Sequence, residues 1–251
     1  MTDNAPQLLR APHISVAHGF TTRAGGVSEA PYSSLNLGLS SGDAKTPVSE
    51  NRRRVLELFG ADEQRACASS QVHGTRVLEA APSWFREEAD AVVSNTPGLA
   101  LIISTADCLP VLFYDPGTGA VGAAHCGWRG TVQGIAAATV RKLTELYGSD
   151  PADLHVAFGP GISRPNYQVG AEVVAEFQRA GFPKSVYEPD GSGRFLLDVA
   201  AANRWALLGL GVKPEHLWES KLCTYADPAR FFSHRRDRGQ TGRHWAVIVA
   251  R

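Results

Sequence analysis

Three residues with metal-ligating side chains stand in distinctive contexts: His73 in SSQVHGTRV, Cys108 in STADCLPVLFY and His125 in VGAAHCGWRGTV. Two imidazoles and one thiolate form a ligand set that binds catalytic zinc and leaves a fourth position open for water or substrate. Their spacings of 35 and 17 residues carry little specificity by themselves. The prediction of a metal site therefore depends on the local contexts of the three residues.

These contexts place the candidate ligands at strand ends. Cys108 lies in the break between two apolar runs, and His125 ends a third run, after which Gly127 and Gly130 lead into an amphipathic helix. In open α/β sheets the ligand crevice forms at strand ends, where loops carry functional side chains. Cys126 directly follows His125, but strand alternation points its side chain to the opposite face, so we leave it out of the site.

Simpler interpretations of the same residues stay open. Taken alone, Cys108 is more often a buried core thiol and His73 a hydrogen-bonded loop histidine. Cys108 could also act as a nucleophile, with His125 or His73 as its base, in hydrolase or amidase chemistry. The remaining cysteines, Cys67 and Cys223, have no neighbouring histidine and are interpreted as buried thiols.

Two arginine-containing loops could bind an anion. Arg23 stands beside paired glycines in TTRAGGVS, and FFSHRRDRGQTGRH holds four arginines, at positions 235, 236, 238 and 243. Guanidinium forks match the oxygen atoms of phosphate and carboxylate groups. The alternative for the second loop is a solvated charged face with ion pairs to residues such as Asp237, and this is the commoner use of such a charge run.

Short apolar or β-branched runs bounded by Gly, Pro or Asp predict the strands that position these residues. The predicted strands are Val72–Glu79, Leu99–Ser104, Leu109–Tyr114, Ala120–His125, Leu154–Phe158 and Trp245–Ala250. Helical periodicity predicts helices at Glu50–Phe59, Thr131–Tyr147, Ala171–Ala180 and Val199–Leu210. Gly148 ends the second helix and Asp198 caps the fourth. Strands and helices mixed through the whole length predict a layered α/β fold.

Composition excludes several classes of protein. The chain has 251 residues, with 25 Lys+Arg against 25 Asp+Glu and 43% hydrophobic residues, which excludes global disorder and nucleic-acid binding through net positive charge. The N-terminal residues lack an export signal, and Asp107 and Pro110 break the longest apolar stretch, so we expect a soluble cytoplasmic protein. The phosphate loop, the strand-linked GxGxxG motif and HExxH are absent.

The chain resembles the YfiH/YlmD-like family in five motifs that occur in the same order: QVHGTRV, TADCLPVLF, AHCGWRGTV, AFGPGIS…YQVG and CTY…FFSHRRDRGQTGR. TTRAGGVS and LNLG near the N-terminus fit the same pattern, and the match runs from about His18 to the C-terminus. That family is described as zinc purine nucleoside phosphorylases, and earlier as multicopper polyphenol oxidase or laccase-domain proteins. Together the motifs are too specific to match by chance.

The resemblance implies one YfiH-like domain over residues 1–251, layered α/β/β/α, with residues 1–12 as a loosely ordered segment. It implies zinc bound by His73, Cys108 and His125, the same residues being catalytic. Asp107 is the nearest candidate proton carrier in sequence, or else a support for the ligands. We expect a monomer or weak oligomer that binds neither nucleic acid nor membrane.

The activity that the resemblance implies is phosphorolysis of adenosine, inosine and S-methyl-5′-thioadenosine, with adenosine deamination as a further activity. The small-molecule partners are then a nucleoside and phosphate. Candidate residues for binding substrate and phosphate are Arg23, Asn36, Arg129, Arg235 and Arg236. Some relatives are linked instead to the editing of peptidoglycan precursors.

The chain departs from the common family pattern at three positions. Gly161 stands where many relatives have a cysteine, Gln168 where they have a glutamate, and Cys126 where they have an alanine. None of these differences removes a predicted zinc ligand. Substrate preference could differ if the replaced side chains take part in substrate binding.

Two further functions remain as alternatives. A copper-dependent polyphenol oxidase would need a larger histidine set, and this chain has eight histidines and no H-x-H pair, although copper can enter a zinc site. A non-catalytic zinc-binding module would use the metal for stability alone. The open fourth coordination position favours an enzyme over such a module.

Overall fold

Fifteen β-strands and five α-helices form the regular structure of the chain, whose computed structural model describes residues 5–81 and 83–251. The strands are β1 (Leu8–Leu9), β2 (His18–Thr21), β3 (Ala66–Ser70), β4 (Val77–Glu79), β5 (Ser83–Glu88), β6 (Ala91–Ser94), β7 (Ala100–Thr105), β8 (Leu109–Tyr114), β9 (Val121–Cys126), β10 (His155–Phe158), β11 (Gln168–Val169), β12 (Tyr187–Pro189), β13 (Phe195–Leu197), β14 (Leu217–Glu219) and β15 (His244–Val249). The helices are α1 (Lys45–Glu57), α2 (Trp128–Val132), α3 (Ile135–Tyr147), α4 (Ala171–Arg179) and α5 (Val199–Leu208). Single-turn 3₁₀ helices cover Glu63–Arg65, Pro151–Asp153, Arg164–Asn166, Lys184–Val186 and Pro214–His216.

Two six-stranded sheets contain most of the strands. Sheet I has the order β1-β2-β15-β7-β3-β5, in which β7, β3 and β5 are parallel neighbours and the other neighbours are antiparallel. Sheet II has the order β14-β10-β8-β9-β6-β4, with a parallel pair at each edge and antiparallel pairs in its centre. Strands β11, β13 and β12 form a third, smaller sheet.

The two large sheets stack face to face, and helices cover their outer faces. Strand alternation produces this layering, because Leu101 and Ile103 of β7 pack between the sheets while Ile102 packs with residues of α1. In the same way Leu112 of β8 packs between the sheets, and Phe113 packs with residues of α3 and α5. The chain therefore has the α/β/β/α layering that the resemblance implies.

Five of the six predicted strands are present as β7, β8, β9, β10 and β15, each with bounds within one residue of the prediction. The prediction of a strand over Val72–Glu79 is wrong for its first five residues, because only Val77–Glu79 pairs with another strand. Residues 71–76 form a loop in which His73 has a φ of +63°. The main-chain N–H groups of this loop donate to the carboxylate of Asp90 instead of to a neighbouring strand.

The helix predicted over Thr131–Tyr147 is divided into α2 and α3. Gly134 lies between them with a φ of +87°, a left-handed conformation that glycine adopts without strain. Because α2 already begins at Trp128, the GWRG sequence forms the first turn of a helix directly after β9. Gly148 ends α3 as predicted, and the side chain of Asp198 caps α5 by accepting from the N–H of Ala201.

The N-terminal segment is more ordered than expected over its described part. Residues 1–4 lie outside the described residues, but Leu8–Leu9 forms β1 and pairs with β2, and Ala11 is buried. Pairing with an edge strand satisfies main-chain hydrogen bonds that a loose segment would leave to water. Among the described helices, none combines the length and apolar character needed to cross a membrane.

Candidate metal centre and its cavity

His73, Cys108 and His125 converge on one point. One ligand atom from each of these side chains lies within 4.8 Å of the others, and the two imidazole rings meet edge to face with centroids 4.8 Å apart. His73 is exposed, Cys108 is half-buried and His125 is 4% exposed. Over residues 5–81 and 83–251, no other group of three His, Cys, Asp or Glu side chains brings ligand atoms so close.

Strand pairing and a loop bring the three ligands together. Strands β8 and β9 pair so that Leu109 faces Cys126 and Pro110 faces His125, which places Cys108 beside His125. His73 reaches the same point from the loop between β3 and β4. Position 127 leaves little room for a side chain, because a Cβ atom there would lie 3.0 Å from Cδ2 of His73 and 3.1 Å from Sγ of Cys108.

A fully buried carboxylate holds two of the three ligands. Oδ1 of Asp90 accepts hydrogen bonds from Nδ1 of His125 at 2.8 Å and from the main-chain N–H of His73 at 2.9 Å. Oδ2 accepts from the N–H groups of Val72 and Gly74. With Nδ1–H donating, the lone pair of Nε2 on His125 is available to a metal, and the carboxylate makes the ring a more basic ligand.

Asp90 was missed by sequence reasoning. It lies in the stretch EEADAVVS, just before β6, with no histidine or cysteine nearby in the sequence. Its partners are 16 to 35 residues away along the chain, so only the folded structure shows its function. Because Glu87 and Glu88 stand beside it, the local sequence does not distinguish Asp90 from an exposed acidic residue.

The charges of the site favour binding of a cation. Burial opposes ionisation of Cys108, but the neighbouring His125 and His73 prevail and lower the pKa of the thiol. Burial also opposes protonation of His125, but Cys108 and Asp90 raise the pKa of this imidazole. A thiolate ligand is therefore available near neutral pH.

Cys126 is confirmed to point away from the site. Its side chain is buried in the core between sheet II and α3, and burial raises the pKa of its thiol. Of the other cysteines, Cys67 is buried as predicted. Cys223 is only half-buried, and its sulfur accepts a hydrogen bond from the N–H of Ser163 at 3.3 Å, so the prediction of a buried thiol is wrong there. None of the four cysteines, all of which lie within the described residues, forms a disulfide.

Asp107 joins three segments of chain at the edge of the site. It has a φ of +94°, an unusual conformation for a residue other than glycine. Its Oδ1 accepts from Oγ1 of Thr224 at 2.6 Å, its Oδ2 accepts from the N–H of Arg235 at 2.7 Å, and its carbonyl accepts from the N–H of Ile162. Both carboxylate oxygens are thus engaged by neutral donors, which suits a positioning residue better than a proton carrier.

The three ligands open into a cavity of about 810 Å³, large enough for a nucleoside together with a small anion. Ends of strands from both sheets form its walls. The residues that line it, besides the ligands and Asp107, are Gly38, Leu39, Ser40, Arg52, Ser69, Ser70, Gln71, Ser104, Thr105, Ala106, Trp128, Arg129, Ile162, Tyr167, His234, Arg235 and Arg243.

Two of the predicted phosphate-binding arginines line this cavity. The guanidinium of Arg129 lies 4.5 Å from the ring centroid of Trp128, and that of Arg235 lies 5.1 Å from the centroid of Tyr167. Nη1 of Arg235 also donates to the carbonyl of Gln168 at 2.9 Å. Both arginines are exposed, so they lie toward the open side of the cavity.

The other candidates, Arg23, Asn36 and Arg236, do not line the cavity. Arg23 donates to the carbonyls of Ser33 and Pro228, and its guanidinium lies over the ring of Phe232. In the structure their side-chain donors bind neighbouring segments of the chain.

Arg236 and Asn36 brace loops next to the cavity. Arg236 donates to the carbonyls of Thr224 and Phe231 and pairs with Asp237. The ion pair with Asp237 is the one named as the alternative interpretation of the arginine-rich loop. Asn36 is fully buried and hydrogen-bonds within the loop that carries Gly38 and with the main chain of Arg243.

The positions that depart from the family pattern lie close to the site. A Cβ atom at Gly161 would come within 3.2 Å of the carbonyl oxygen of Asp107 and 3.3 Å of Cα of Leu109. The side chain of Gln168 donates to Asp190, away from the ligands, while its carbonyl holds Arg235. Both positions therefore contact residues that line the cavity: Gly161 contacts Asp107, and Gln168 contacts Arg235.

Comparisons with known proteins agree over nearly the whole chain. A family model described as "Multi-copper polyphenol oxidoreductase laccase" matches residues 17–251. A protein of Deinococcus radiodurans named purine nucleoside phosphorylase is 48% identical over 249 residues, covering 99% of this chain and 94% of that protein.

Two solved structures are similar to this fold. The hypothetical protein YfiH of Bacillus licheniformis superposes with a TM-score of 0.92 at 32% sequence identity. The superposition covers 100% of this chain and 98% of that protein's chain. YlmD from Geobacillus stearothermophilus superposes with a TM-score of 0.91 at 36% identity, covering 99% of each chain.

Proposed function

Since the chain belongs to the YfiH/YlmD-like family, we propose that it is a zinc-dependent purine nucleoside phosphorylase acting on adenosine, inosine and S-methyl-5′-thioadenosine. One observation carries this proposal. A three-ligand centre with His73, Cys108 and His125 opens into a cavity that is also lined by Arg129, Arg235 and Arg243. A cation and an anion can therefore be held in the same cavity, as phosphorolysis requires.

The charge balance of the cavity favours an anionic substrate. Arg129, Arg235 and Arg243 line it, and within residues 5–81 and 83–251 no ion pair joins any of the three to a carboxylate. Asp107 is the one acidic side chain among the described lining residues, and neutral donors engage both of its oxygens. Unpaired guanidinium groups in a partly enclosed cavity are suited to phosphate.

The residues at the centre fit a zinc ion. Two imidazoles and a thiolate are borderline-soft donors, and a soft set of three with room beside it is the arrangement of catalytic zinc sites. Zinc bound there would supply Lewis-acid polarisation of a substrate oxygen or of water. Asp90 contributes by holding His125 and the loop of His73 in place.

In phosphorolysis a phosphate oxygen bonds to the anomeric carbon of the ribose while the bond from that carbon to the purine nitrogen breaks. We assign Arg129 and Arg235 to attraction of the phosphate toward the cavity, because both are exposed at its open side. The rings of Trp128 and Tyr167 provide flat apolar surfaces beside them on which a purine can stack.

Incubation of the purified protein with inosine, with and without phosphate, tests the proposal. We expect hypoxanthine and ribose 1-phosphate only when phosphate is present, and loss of both products in Cys108→Ser. Cys223→Ser is the matched control, since Cys223 is a free thiol that does not line the cavity. Absence of purine base and sugar phosphate with all three nucleosides would overturn the proposal.

Adenosine deamination is proposed as a second activity of the same centre. It needs water in place of phosphate, so inosine and ammonia should form from adenosine in phosphate-free buffer. Cys108→Ser should remove this activity together with phosphorolysis. Deamination that survives in Cys108→Ser would separate the two activities and assign it to another source.

The description of the family model favours copper as the alternative metal, in a polyphenol oxidase. Among the described residues, however, one three-ligand group is present, whereas a multicopper centre needs several. Metal analysis of protein purified without added metal distinguishes the zinc phosphorylase hypothesis from the copper oxidase hypothesis. About one zinc per chain supports our proposal, and several copper ions per chain with catechol oxidation would replace it.

A cysteine hydrolase mechanism predicts a different response to chelation. If Cys108 were a nucleophile, activity would survive exhaustive removal of metal and would still be lost in Cys108→Ser. Under the zinc proposal, chelation and Cys108→Ser abolish activity alike, and added zinc restores only the chelated protein.

A further inference from the structure

Arg243 occupies a different place in the cavity from the other two lining arginines that lack an ion pair. It directly precedes β15 in sheet I, whereas Arg129 follows β9 in sheet II. Arg129 and Arg235 are exposed, whereas Arg243 is half-buried. A shielded guanidinium interacts more strongly with an anion than an exposed one, because less solvent screens the charges.

The main chain of Arg243 is held by the buried side chain of Asn36. Oδ1 of Asn36 accepts from the N–H of Arg243 at 2.9 Å and from the N–H of Gly38 at 3.0 Å. The carbonyl of Arg243 in turn accepts from the N–H of Leu37 at 3.1 Å. These contacts attach the start of β15 to the loop of residues 36–40, which forms part of the cavity wall.

The side-chain amide of Asn36 is itself fixed. Its Nδ2 donates to Oγ of Ser41 at 2.8 Å and to Oδ2 of Asp43 at 2.9 Å, and the main-chain carbonyl of Asn36 accepts from Nδ2 of Asn51. With all of these bonds made, the amide cannot turn over without losing at least two of them. The orientation of Asn36, and through it the position of Arg243, is therefore determined by the fold.

The side chain of Arg243 is also restrained. Gly38 packs against its aliphatic part, and a Cβ atom at that position would lie 2.6 Å from Cγ of Arg243. Nη1 donates to the carbonyls of Thr241 and Gly242 at 2.9 and 3.0 Å. One edge of the guanidinium is thus fixed to the protein, and the charged group remains without a carboxylate partner among the described residues.

Arg243 lines the same cavity as His73, Cys108 and His125. Burial lowers the pKa of Arg243, while the negative charges of Asp107 and Cys108 act on it in the opposite direction. An oxyanion bound by Arg243 would therefore share one cavity with the three candidate ligands. A phosphate bound there would lie in the same cavity as the proposed nucleoside substrate.

We propose that Arg243 is the anchor of a phosphate subsite and that Asn36 is its positioning residue. This inference rests on the proposed function for the identity of the anion, but the site itself follows from the geometry. Arg129 and Arg235 attract the anion at the open side, and the restrained Arg243 binds it inside. The ligand class is a divalent tetrahedral oxyanion.

Binding of inorganic phosphate, measured by calorimetry without any nucleoside, tests the subsite independently of catalysis. We expect Arg243→Gln to weaken phosphate binding roughly 10- to 100-fold, since a charge-assisted pair of hydrogen bonds is lost. The phosphate affinity of Arg243→Lys should lie between those of the wild type and Arg243→Gln. Lysine keeps the positive charge but lacks the planar guanidinium that donates two parallel hydrogen bonds. Arg238→Gln is the matched control in the same loop and should bind phosphate like the wild type.

Steady-state kinetics gives the second measurement. In Arg243→Gln the KM for phosphate should rise by the same factor, while the KM for inosine stays within about twofold. Added guanidinium should restore turnover to Arg243→Ala but not to Asn36→Ala, because only the first variant leaves a space of that shape. A merely structural role for Arg243 would give no such rescue.

The outcomes separate the two proposals. If phosphate binds to the wild type and not to Arg243→Gln, but no nucleoside is cleaved, the subsite stands and the proposed function fails. If nucleosides are cleaved and the phosphate KM of Arg243→Gln and Arg243→Lys is unchanged, the function stands and the subsite is refuted. Failure of the wild type to bind phosphate at millimolar concentration also refutes the subsite.

Discussion

The two walls of the cavity are each held by one fully buried polar side chain, and the two side chains differ in charge. Asp90 holds the metal-ligand wall, which consists of His73, Cys108 and His125. It accepts four hydrogen bonds, one of them from His125. Asn36 holds the arginine wall, which we define as residues 38–40 together with Arg243. It does so by accepting from the N–H groups of Gly38 and Arg243. Both fix main-chain segments that are distant in sequence.

The difference follows from what each wall has to bind. A carboxylate beside His125 makes the imidazole a better ligand, so its negative charge assists the binding of a cation. A carboxylate beside Arg243 would instead compete with a bound anion for the guanidinium. A neutral amide provides the same acceptor geometry and leaves the positive charge of the arginine available. We infer that the charge of each buried support matches the ligand of its wall.

Removal of a ligand from the first wall should have the largest effect. Cys108→Ser is expected to lower kcat/KM by roughly 10³-fold or more, because several kcal/mol of metal-derived charge stabilisation is lost. Zinc content measured by mass spectrometry should fall in parallel. A variant that loses zinc and keeps its phosphorolysis rate would show that the metal-ligand wall has no part in catalysis.

Asp90→Asn tests the support of that wall. The amide group cannot accept from all four donors, so metal affinity should fall roughly 10- to 100-fold, as for other carboxylates that support a histidine ligand. Phosphate binding should stay close to the wild type, since the arginine wall is untouched. The measurement is competition for zinc with a chromogenic chelator.

Asp115→Asn is the matched control for that experiment. Asp115 is also a buried carboxylate, and it accepts from the N–H of Gly117 and the hydroxyl of Thr118 in a turn away from the cavity. It should lose stability without losing zinc affinity. Equal zinc affinity in Asp90→Asn and Asp115→Asn would contradict the role assigned to Asp90.

Acidification should lower the free energy of unfolding through His244, which follows Arg243 and is the first residue of β15. Burial, together with the charges of Arg23 and Arg243, lowers the pKa of His244 to about 3, and its Nε2 accepts from the N–H of Phe232. The unfolded chain takes up this proton at its ordinary pKa of about 6.5, so the stability due to neutral His244 is complete above that pH and is lost as pH falls toward 3.

The expected size is up to about 1.4 kcal/mol of unfolding free energy per pH unit below 6.5. Urea unfolding at pH 7 and pH 5 should therefore show a fall of roughly 2 kcal/mol from this one group. His244→Gln, which keeps an acceptor for Phe232, should show a smaller fall over the same interval. Identical pH dependence in both proteins would mean that His244 is not kept neutral by the fold.

The ligands of the first wall could be predicted because their positions obey strand geometry. Leu109–Tyr114 is a continuous apolar run, which gives the start of β8 and places Cys108 just before it. Alternation along β9 assigns His125 to the cavity and Cys126 to the core. These are local patterns with period two, and each needs only a few neighbouring residues to be recognised.

The supports could not be predicted, because their partners are distant in sequence. Nothing in EEADAVVS shows that Asp90 meets a loop 16 residues earlier. The functions of the arginines could not be predicted for the same reason. Arg23 and Arg236 donate to main-chain carbonyls, whereas Arg129 and Arg235 line the cavity. Which carbonyls meet a guanidinium is decided by tertiary packing and not by residue type.

The smallest and most specific effect should come from Asn36→Asp. The new carboxylate can still accept from the N–H of Arg243, but it brings a negative charge to the arginine wall and repels Asp43, to which Asn36 now donates. Phosphate affinity should fall severalfold, by about 1 kcal/mol, with zinc content unchanged. Asn36→Asp combined with Asp43→Asn removes the repulsion by exchanging donor and acceptor. If the double variant regains thermal stability while phosphate affinity stays low, the charge of the support is responsible. If both properties recover together, the neutrality of Asn36 serves only the packing of its loop.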